Sequence, residues 1–427
     1  PFALRTRDFH HGAFDRERSA RVYSRMLRTT CLLVGLLLAC GDDSTPSFDA
    51  ASDSEVDSAP DAFDAAPTCT PRPPTELRAF DAFDISAAFD GEGYAAGYVT
   101  PDRIPTLVRW TDTEERTHEW APVAVPGGSL LQSQTALHLS DDAVALAWTG
   151  LYTDLGATGS EVHYGYDGPA GRGEMRVTPP RSPADRPMFI DDGGSPWLFW
   201  NDNRLRTPRI FMMTDLSDGI FSQRFGTDGR PQSGEQKHFQ RSLGSMRWRI
   251  VTRVGDEPAL PYVDVFDGEV YWQTTSDRLA QDTEGPPAFT IPLEDDARVG
   301  AFEAIAVQDG VLVAVGTGDG LGTALLGPTG NVVRPFVRLP EFEGERFSTI
   351  RFVVVEERAV LLRLEGTELS LGHVADDGSR LEDVQTVTVP EGTRFETETS
   401  EGSQVRLLTK TRGRDEPVVL YETIVCF

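Results

Sequence analysis

Between Glu76 and Phe427 the chain repeats one pattern about every fifty residues. A turn signal of paired acidic or glycine residues recurs at Asp90-Gly91, Asp141-Asp142, Asp192-Gly193, Gly255-Asp256, Asp309-Gly310, Glu356-Glu357 and Glu401-Gly402. The spacings are 51, 51, 63, 54, 47 and 45 residues. After each anchor comes a short apolar run: GYAAGYV, AVALAW, PWLFW, PALPYVDV, VLVAVGTG, AVLLRL and QVRLLTK. A second run follows at TLVRWTD, EVHYGYD, RIFMMTD, EVYWQTTSD, GTALLGPTG, LSLGHVADDG and PVVLYETIV, and a third at HEWAPVAVP, GEMRVTPP, PAFTIPL, NVVRPFVRLP and VQTVTVP. Short runs rich in β-branched and aromatic residues, closed by Asp or Gly, are strands joined by hairpins. No segment longer than about ten residues carries a 3.6-residue apolar period, so the expected class is all-β. A unit this small cannot bury its own faces, and neighbouring units must stack on it.

Seven such units, each offering three or four strands, resemble a seven-bladed β-propeller of the general WD40 or Kelch architecture. The resemblance rests on strand spacing alone. The Gly-His and Trp-Asp signature of WD40 repeats, the paired glycines of Kelch and the Asp-box of sialidases are absent. Two or three β-sandwich domains are the competing architecture, and six or eight blades the competing counts. The last unit ends at Phe427 before it can supply an outer strand, while Thr75 to Ala79 precede the first complete unit. An N-terminal segment that completes the final blade brings the two ends of the body together, which separate sandwiches do not require.

Upstream of the body, Met26 opens MLRTTCLLVGLLLAC, a basic start, an apolar stretch and a small residue ahead of Cys40. This is the layout of a secretory signal, and its apolar stretch is about half the length that spans a bilayer. Leu37-Leu38-Ala39-Cys40 resembles the lipobox of bacterial lipoproteins. The resemblance implies cleavage before Cys40, a diacylglyceryl thioether on its thiol and an amide-linked third acyl chain. Several chains anchor stably where one binds only marginally. Residues 1–25 read as an upstream or misassigned extension, 26–39 as the signal peptide, 40–74 as the lipidated cysteine with a disordered acidic tether, and 75–427 as the propeller-like domain. Gly41 in place of an aspartate leans toward the outer membrane, so the expected location is the envelope of a Gram-negative bacterium, with the membrane a partner through Cys40.

From Gly41 to Pro74 there are eight acidic residues and one arginine among Ala, Ser and Pro. Such a segment buries too little apolar surface to offset its ordering entropy. The whole chain carries 67 acidic against 40 basic side chains, a net charge of −27. A nucleic-acid partner is excluded on that ground, because phosphate recognition needs clustered Lys and Arg. Of the four cysteines, Cys31 leaves with the signal and Cys40 takes lipid. Cys69 and Cys426 remain, and an even remainder in an exported protein points to a disulfide, here one that ties the ends of the body together.

Chemistry is less legible. His118, His138, His163, His238 and His373 show no metal-pair spacing, and no Gly-x-Ser-x-Gly elbow is present. The expectation is therefore no catalytic residue, no metal and no cofactor. Two acidic stretches, Asp264 to Glu269 and Asp376-Asp377-Gly378, carry oxygen ligands of the calcium kind, but hairpin turns explain both. Trp197, Trp200, Trp248 and Trp272 fall in the third and fourth units, which also hold the longest insertions, and are the candidate binding surface. Packing between units is their competing role. The leading functional expectation is a non-enzymatic lipoprotein whose propeller presents a rigid face to a protein or glycan. The alternatives are an exported hydrolase or lyase acting on polysaccharide through loop carboxylates, and an envelope assembly factor.

Overall fold

The computed structural model describes residues 69–427 apart from 92, 122–133, 141–142, 155–156, 180–183, 191–194, 203–217, 242–245, 250, 255–256, 275–286, 294–297, 344–348 and 413–415. The signal, Cys40 and the acidic segment up to residue 68 lie outside the described residues. So do the anchors Asp141-Asp142, Asp192-Gly193 and Gly255-Asp256 and the run RIFMMTD.

Apart from one 3-10 turn, Pro340–Phe342, the regular elements among the described residues are strands, and they form seven antiparallel sheets. The first strand, β1 (Arg72–Phe80), belongs to the last sheet. Blade 1 is β2 (Ile85–Asp90), β3 (Gly93–Val99), β4 (Pro105–Trp110) and β5 (Glu115–Glu119). Blade 2 is β6 (Thr135–Leu139), β7 (Val144–Asp154), β8 (Ala157–Gly168) and β9 (Gly171–Arg176), and blade 3 is β10 (Ala184–Ile190), β11 (Trp197–Asp202), β12 (Asp218–Arg224) and β13 (Gln236–Arg241). In blade 4 the inner strand is split into β14 (Met246–Trp248) and β15 (Val251–Val254), both paired with β16 (Glu257–Asp264), followed by β17 (Glu269–Thr274) and β18 (Phe289–Thr290). Blade 5 is β19 (Ala301–Val307), β20 (Gly310–Thr317), β21 (Gly320–Leu326) and β22 (Val332–Arg338). Blade 6 is β23 (Ile350–Val355), β24 (Arg358–Glu365), β25 (Glu368–Val374) and β26 (Leu381–Thr388). Blade 7 is β27 (Arg394–Glu401), β28 (Gln404–Arg412) and β29 (Val418–Cys426), completed by β1 at its outer edge.

The fold is a seven-bladed β-propeller. First strands of successive blades touch one another, β2 with β6, β6 with β10, β15 with β19, β19 with β23, β23 with β27 and β27 with β2, so these strands surround the axis. Each pair of neighbouring blades shares its own apolar cluster. Blades 5 and 6 meet through Leu312, Leu321, Phe352 and Leu361, blades 6 and 7 through Val360, Leu362, Val405 and Leu407, and blades 3 and 4 through Phe199, Ile220, Leu260 and Tyr262. The alternation along β24 shows the mechanism. Ala359 and Leu361 face blade 5, while Val360, Leu362 and Leu364 face blade 7, because successive side chains of a strand point to opposite faces. A strand buried on both faces must be apolar throughout, which is why the second strand of every unit stands out in the sequence.

The anchors fall between the first and second strands of the blades. Gly91, Gly310 and Gly402 have positive φ there, and so do Glu356 and Glu357, at 47° and 68°. Closure follows the sequence reading, three residues early: β1 starts at Arg72, so residues 72–74 belong to a strand and not to the tether. Pro73 and Pro74 are tolerated because β1 is an edge strand, with no outer neighbour to hydrogen-bond. Cys69 is bonded to Cys426, with Cα atoms 5.7 Å apart across 357 residues of chain.

Candidate functional site

First strands of all blades run in the same direction around the axis, so their N-terminal ends define one face and the anchor turns define the other. The first-to-second and third-to-fourth strand turns lie on the anchor face. Cys426 ends the third strand of blade 7, which puts the disulfide on the anchor face as well.

At the opposite face the first strands bring charged residues to the axis. Glu303 in β19 is the centre. Its carboxylate accepts both oxygens' worth of hydrogen bonding from Arg249 Nε at 2.8 Å, a further bond from Arg351 Nη1 at 3.0 Å, and one from the Ala304 amide at 3.2 Å. Arg249 precedes β15 in blade 4 and Arg351 lies in β23 of blade 6, so one carboxylate joins three blades. Two blades on, β27 reads RFETETSE. Phe395 goes into the blade 6–7 core, and a register shift between Phe395 and Thr397 breaks the period of two, so that Glu396 turns toward blade 1 and Glu398, opposite Leu407, toward blade 6. Glu396 accepts from Lys410 Nζ at 2.6 Å and from the Ala87 amide at 3.0 Å, and Lys410 also pairs with Asp84 at 2.7 Å, which joins blade 7 to blade 1.

Burial sets the electrostatics of this arc. The Glu303 side chain is 6% exposed, whereas Arg249 and Arg351 keep 30% and 31% because they face the axis. Burial lowers the affinity of Lys410 for its proton, but Glu396 and Asp84 more than offset it, and the ammonium is held above its ordinary value. Glu398 differs from its neighbours. It has no hydrogen-bond partner among the described residues, and burial pushes its carboxyl up to about 7, with Arg351 opposing and Glu303 adding to the shift. Across the ring, in blade 3, Arg186 sits in the left-handed region at φ 51°, where a non-glycine residue costs about 1 to 2 kcal/mol. The Gln134 side-chain oxygen accepts its amide at 2.8 Å and holds the conformation, while the exposed guanidinium makes no ion pair among the described residues. The mouth thus combines a spent arc of ion pairs with two uncommitted groups, Glu398 in blade 7 and Arg186 in blade 3, three blades apart round the ring.

Of the aromatic residues singled out from the sequence, Trp197 and Trp200 lie in the cores between blades. Trp200 is fully buried against Phe221 between blades 2 and 3, and Trp197 packs with Phe199 between blades 3 and 4. Neither offers ring surface to a partner, a correction that follows from blade faces being the core of this fold. Trp272 is half-buried at the blade 4–5 cluster beneath Gly330, and Trp248 lies in β14 of the inner strand. The histidines are dispersed: His118 bonds Asp167 at 2.9 Å, His163 stacks on Trp148, and His373 meets Phe427 edge-on. His138 lies beside the Phe189 ring. His238 is buried against Ser222 Oγ at 2.6 Å, and burial lowers its pKa to about 4. Asp264 uses Oδ1 to accept the Phe266 and Asp267 amides, and Asp377 caps Ser379, so both acidic stretches are committed to turns. Among the described residues no group of three or more His, Cys, Asp or Glu is placed to hold a metal ion.

The axial residues were missed because each comes from a different unit. A signal was present. Asp84, Arg186, Arg249, Glu303, Arg351 and Glu396 all stand five or six positions before their anchor, and only the second unit, with Thr135, lacks a charge there.

No protein-family model and no curated sequence matches the chain. Solved structures do. The polysaccharide lyase Uly1 superposes with a TM-score of 0.52 at 12% identity, over 82% of this chain and 91% of that one. An alpha-L-arabinanase of Penicillium chrysogenum gives 0.44 at 11%, over 84% and 98%, and the β-propeller domain of the trilobed protease of Pyrococcus furiosus gives 0.41 at 10%, over 81% and 94%. At these identities the likeness shows the fold alone.

Proposed function

We propose that the protein is an exported, lipid-anchored propeller that binds a glycan at its charged axial mouth, and that binding is its task. The observation that carries this is the state of the axial carboxylates. Glu303 is consumed by two guanidiniums and Glu396 by Lys410 and an amide, so neither is available as a base or nucleophile. The two uncommitted groups lie on opposite sides of the mouth, a guanidinium donor at Arg186 and a carboxyl at Glu398, and a hydroxyl-rich chain crossing the mouth meets both. Lipid attachment at Cys40 is supported by the lipobox, and export by the pairing of Cys69 with Cys426, since such bonds persist in oxidising compartments.

A second reading, a polysaccharide-cleaving enzyme, draws on one feature. A carboxyl poised near neutrality beside Arg351 has the protonation range of a general acid. One experiment separates the two. Purified protein is titrated with a panel of neutral and acidic polysaccharides, and the chain length of the polymer is followed by size exclusion. The binding reading expects saturable affinity, weakened at least about tenfold by Arg186→Ala or Glu398→Gln, with polymer length unchanged. Shortened chains whose formation stops in Glu398→Gln establish the enzyme; absence of any binding to the panel removes both.

A further inference from the structure

The hairpin of β7 and β8 rises out of blade 2 at the mouth face, where the turns between second and third strands lie. β6 stops pairing at Thr135, opposite Trp148, and β9 at Arg176, opposite His163. Beyond those points β7 and β8 pair with each other, from Gly150 opposite Glu161 to Asp154 opposite Ala157, without a register shift. Six residues of β7 outrun β6, a rise of about 20 Å, whereas in the other blades the described second strand outruns the first by at most two. β6 is the innermost strand of its sheet, so the edge of β7 that it leaves bare looks toward the axis. The Thr149 amide donates to the Gln134 carbonyl at 2.9 Å, on the β6 side. Amide direction alternates along a strand, so Leu151 and Thr153 also turn N–H and C=O inward, while Gly150, Tyr152 and Asp154 spend theirs on β8. No strand among the described residues pairs with this inner edge. Bare edges are ordinarily blunted by proline, lysine or a bulge, as the outer edge β1 is by Pro73, Pro74 and two register shifts; Gly150 to Asp154 carry none of these. The root of the ribbon is tied to the mouth, because the Gln134 amide donates to Thr149 Oγ1 at 2.8 Å and the Gln134 side-chain oxygen accepts the Arg186 amide at 2.8 Å.

We propose that the inner edge of this ribbon is a backbone wall of the glycan site, and that the glycan it takes is neutral. Glycan recognition itself rests on the functional reading of the mouth; the ribbon adds the peptide groups of Leu151 and Thr153 to the side chain of Arg186. Each of the two residues presents one donor and one acceptor. A sugar hydroxyl donates and accepts, so it satisfies both, whereas a carboxylate or sulfate only accepts and is repelled by the inward carbonyls. The net charge of −27 opposes an anionic polymer as well. The ribbon gains in turn: a two-stranded hairpin alone is marginal in water, and a chain lying along its open edge supplies the hydrogen bonds of a third strand. A peptide strand uses the same groups, but the link from Thr149 through Gln134 to Arg186 sets this edge beside the path of the glycan.

The test uses the full chain, with dextran, galactomannan and xylan as neutral probes and polygalacturonate as the acidic one. Thr153→Pro removes one inward N–H and none that β8 uses. A second variant replaces Leu151 to Ser160 with Asn-Gly, which closes the hairpin at the pair Gly150 and Glu161. At least one neutral polymer is expected to bind, about fivefold more weakly to Thr153→Pro and at least about tenfold more weakly to the shortened chain. In the wild type, amide hydrogen exchange at Leu151 and Thr153 slows when that polymer is added, a readout that a purely structural ribbon does not give. Affinity unchanged in both variants while Arg186→Ala weakens it, exchange at the two amides indifferent to the polymer, or tighter binding of polygalacturonate overturns the wall and leaves the axial reading standing. A short alternating Thr-Val peptide that slows exchange there where the polymers do not gives the edge to a peptide strand, with the same consequence. No binding of any polymer removes both.

Discussion

Replacing Glu303 with Ala tests the axial arc at its centre. The substitution removes a carboxylate that is 6% exposed and leaves Arg249 and Arg351 facing one another without it. Breaking one member of a buried ion pair costs about 3 to 5 kcal/mol, and since both arginines keep roughly a third of their surface the low end applies, about 3 kcal/mol. With an unfolding entropy of roughly 2.1 cal/mol/K per residue over about 350 residues, this lowers Tm by about 4 °C. The pH dependence is the sharper signature. Glu303 is one of the groups that raise the pKa of Glu398, so its loss lets Glu398 ionise at lower pH and supply part of the missing charge to Arg351. The expected loss is therefore full at pH 5, where Glu398 is protonated, and smaller at pH 8. Differential scanning fluorimetry of Glu303→Ala across that range checks it. A shift below about 1 °C at pH 5, or a loss that grows toward pH 8, refutes the arc as described.

Other expectations follow from the same geometry. Glu398 has a folded pKa of about 7 against an ordinary value of 4.5, so its stabilising contribution is present below that lower value and is lost as pH rises to 7; Glu398→Gln should be about 2 kcal/mol more stable than wild type at pH 8 and equal to it at pH 4, by denaturant titration. Cys426→Ser removes a bridge across 357 residues, for which loop entropy sets an upper limit of about 5 to 6 kcal/mol; β1 remains paired with β29, so a loss seen mainly as proteolysis near residue 72 is expected, and none at all would show that strand pairing alone closes the ring. Trp200→Ala opens a cavity between blades 2 and 3 and should cost about 3 to 5 kcal/mol while leaving the glycan affinity of the surviving fold unchanged; weakened binding at equal stability would return this residue to the ligand surface.

The sequence made the second strands of the blades legible for a physical reason. β20 and β24 are buried on both faces, so GVLVAVGT and the apolar part of RAVLLRLE read as unbroken apolar runs. First strands were not recognised. In β27 Phe395 packs into the core, while a register shift turns Glu396 and Glu398 toward opposite neighbouring blades, and the resulting RFETETSE reads as a polar loop. Closure was recoverable because two independent features, a missing outer strand and an even pair of cysteines, pointed to the same junction. The third run of the first unit shows the opposite case: HEWAPVAVP begins in β5, which ends at Glu119, because the alternation that marks a strand is weak where one face is solvent. Trp197 and Trp200 misled for the reason that makes propellers stable. In this architecture large rings fill the wedge between blades, and a cluster of them reports packing before it reports a ligand.

Of the measurements available, the intact mass of the protein recovered from its native cells, with peptide mapping under non-reducing conditions, bears most directly on an exported propeller closed by its own ends. The account requires a chain beginning at Cys40 with acyl groups on that residue, and a single peptide pair joining Cys69 to Cys426. A chain that retains residues 26–39, carries no lipid and shows free thiols at both positions contradicts it.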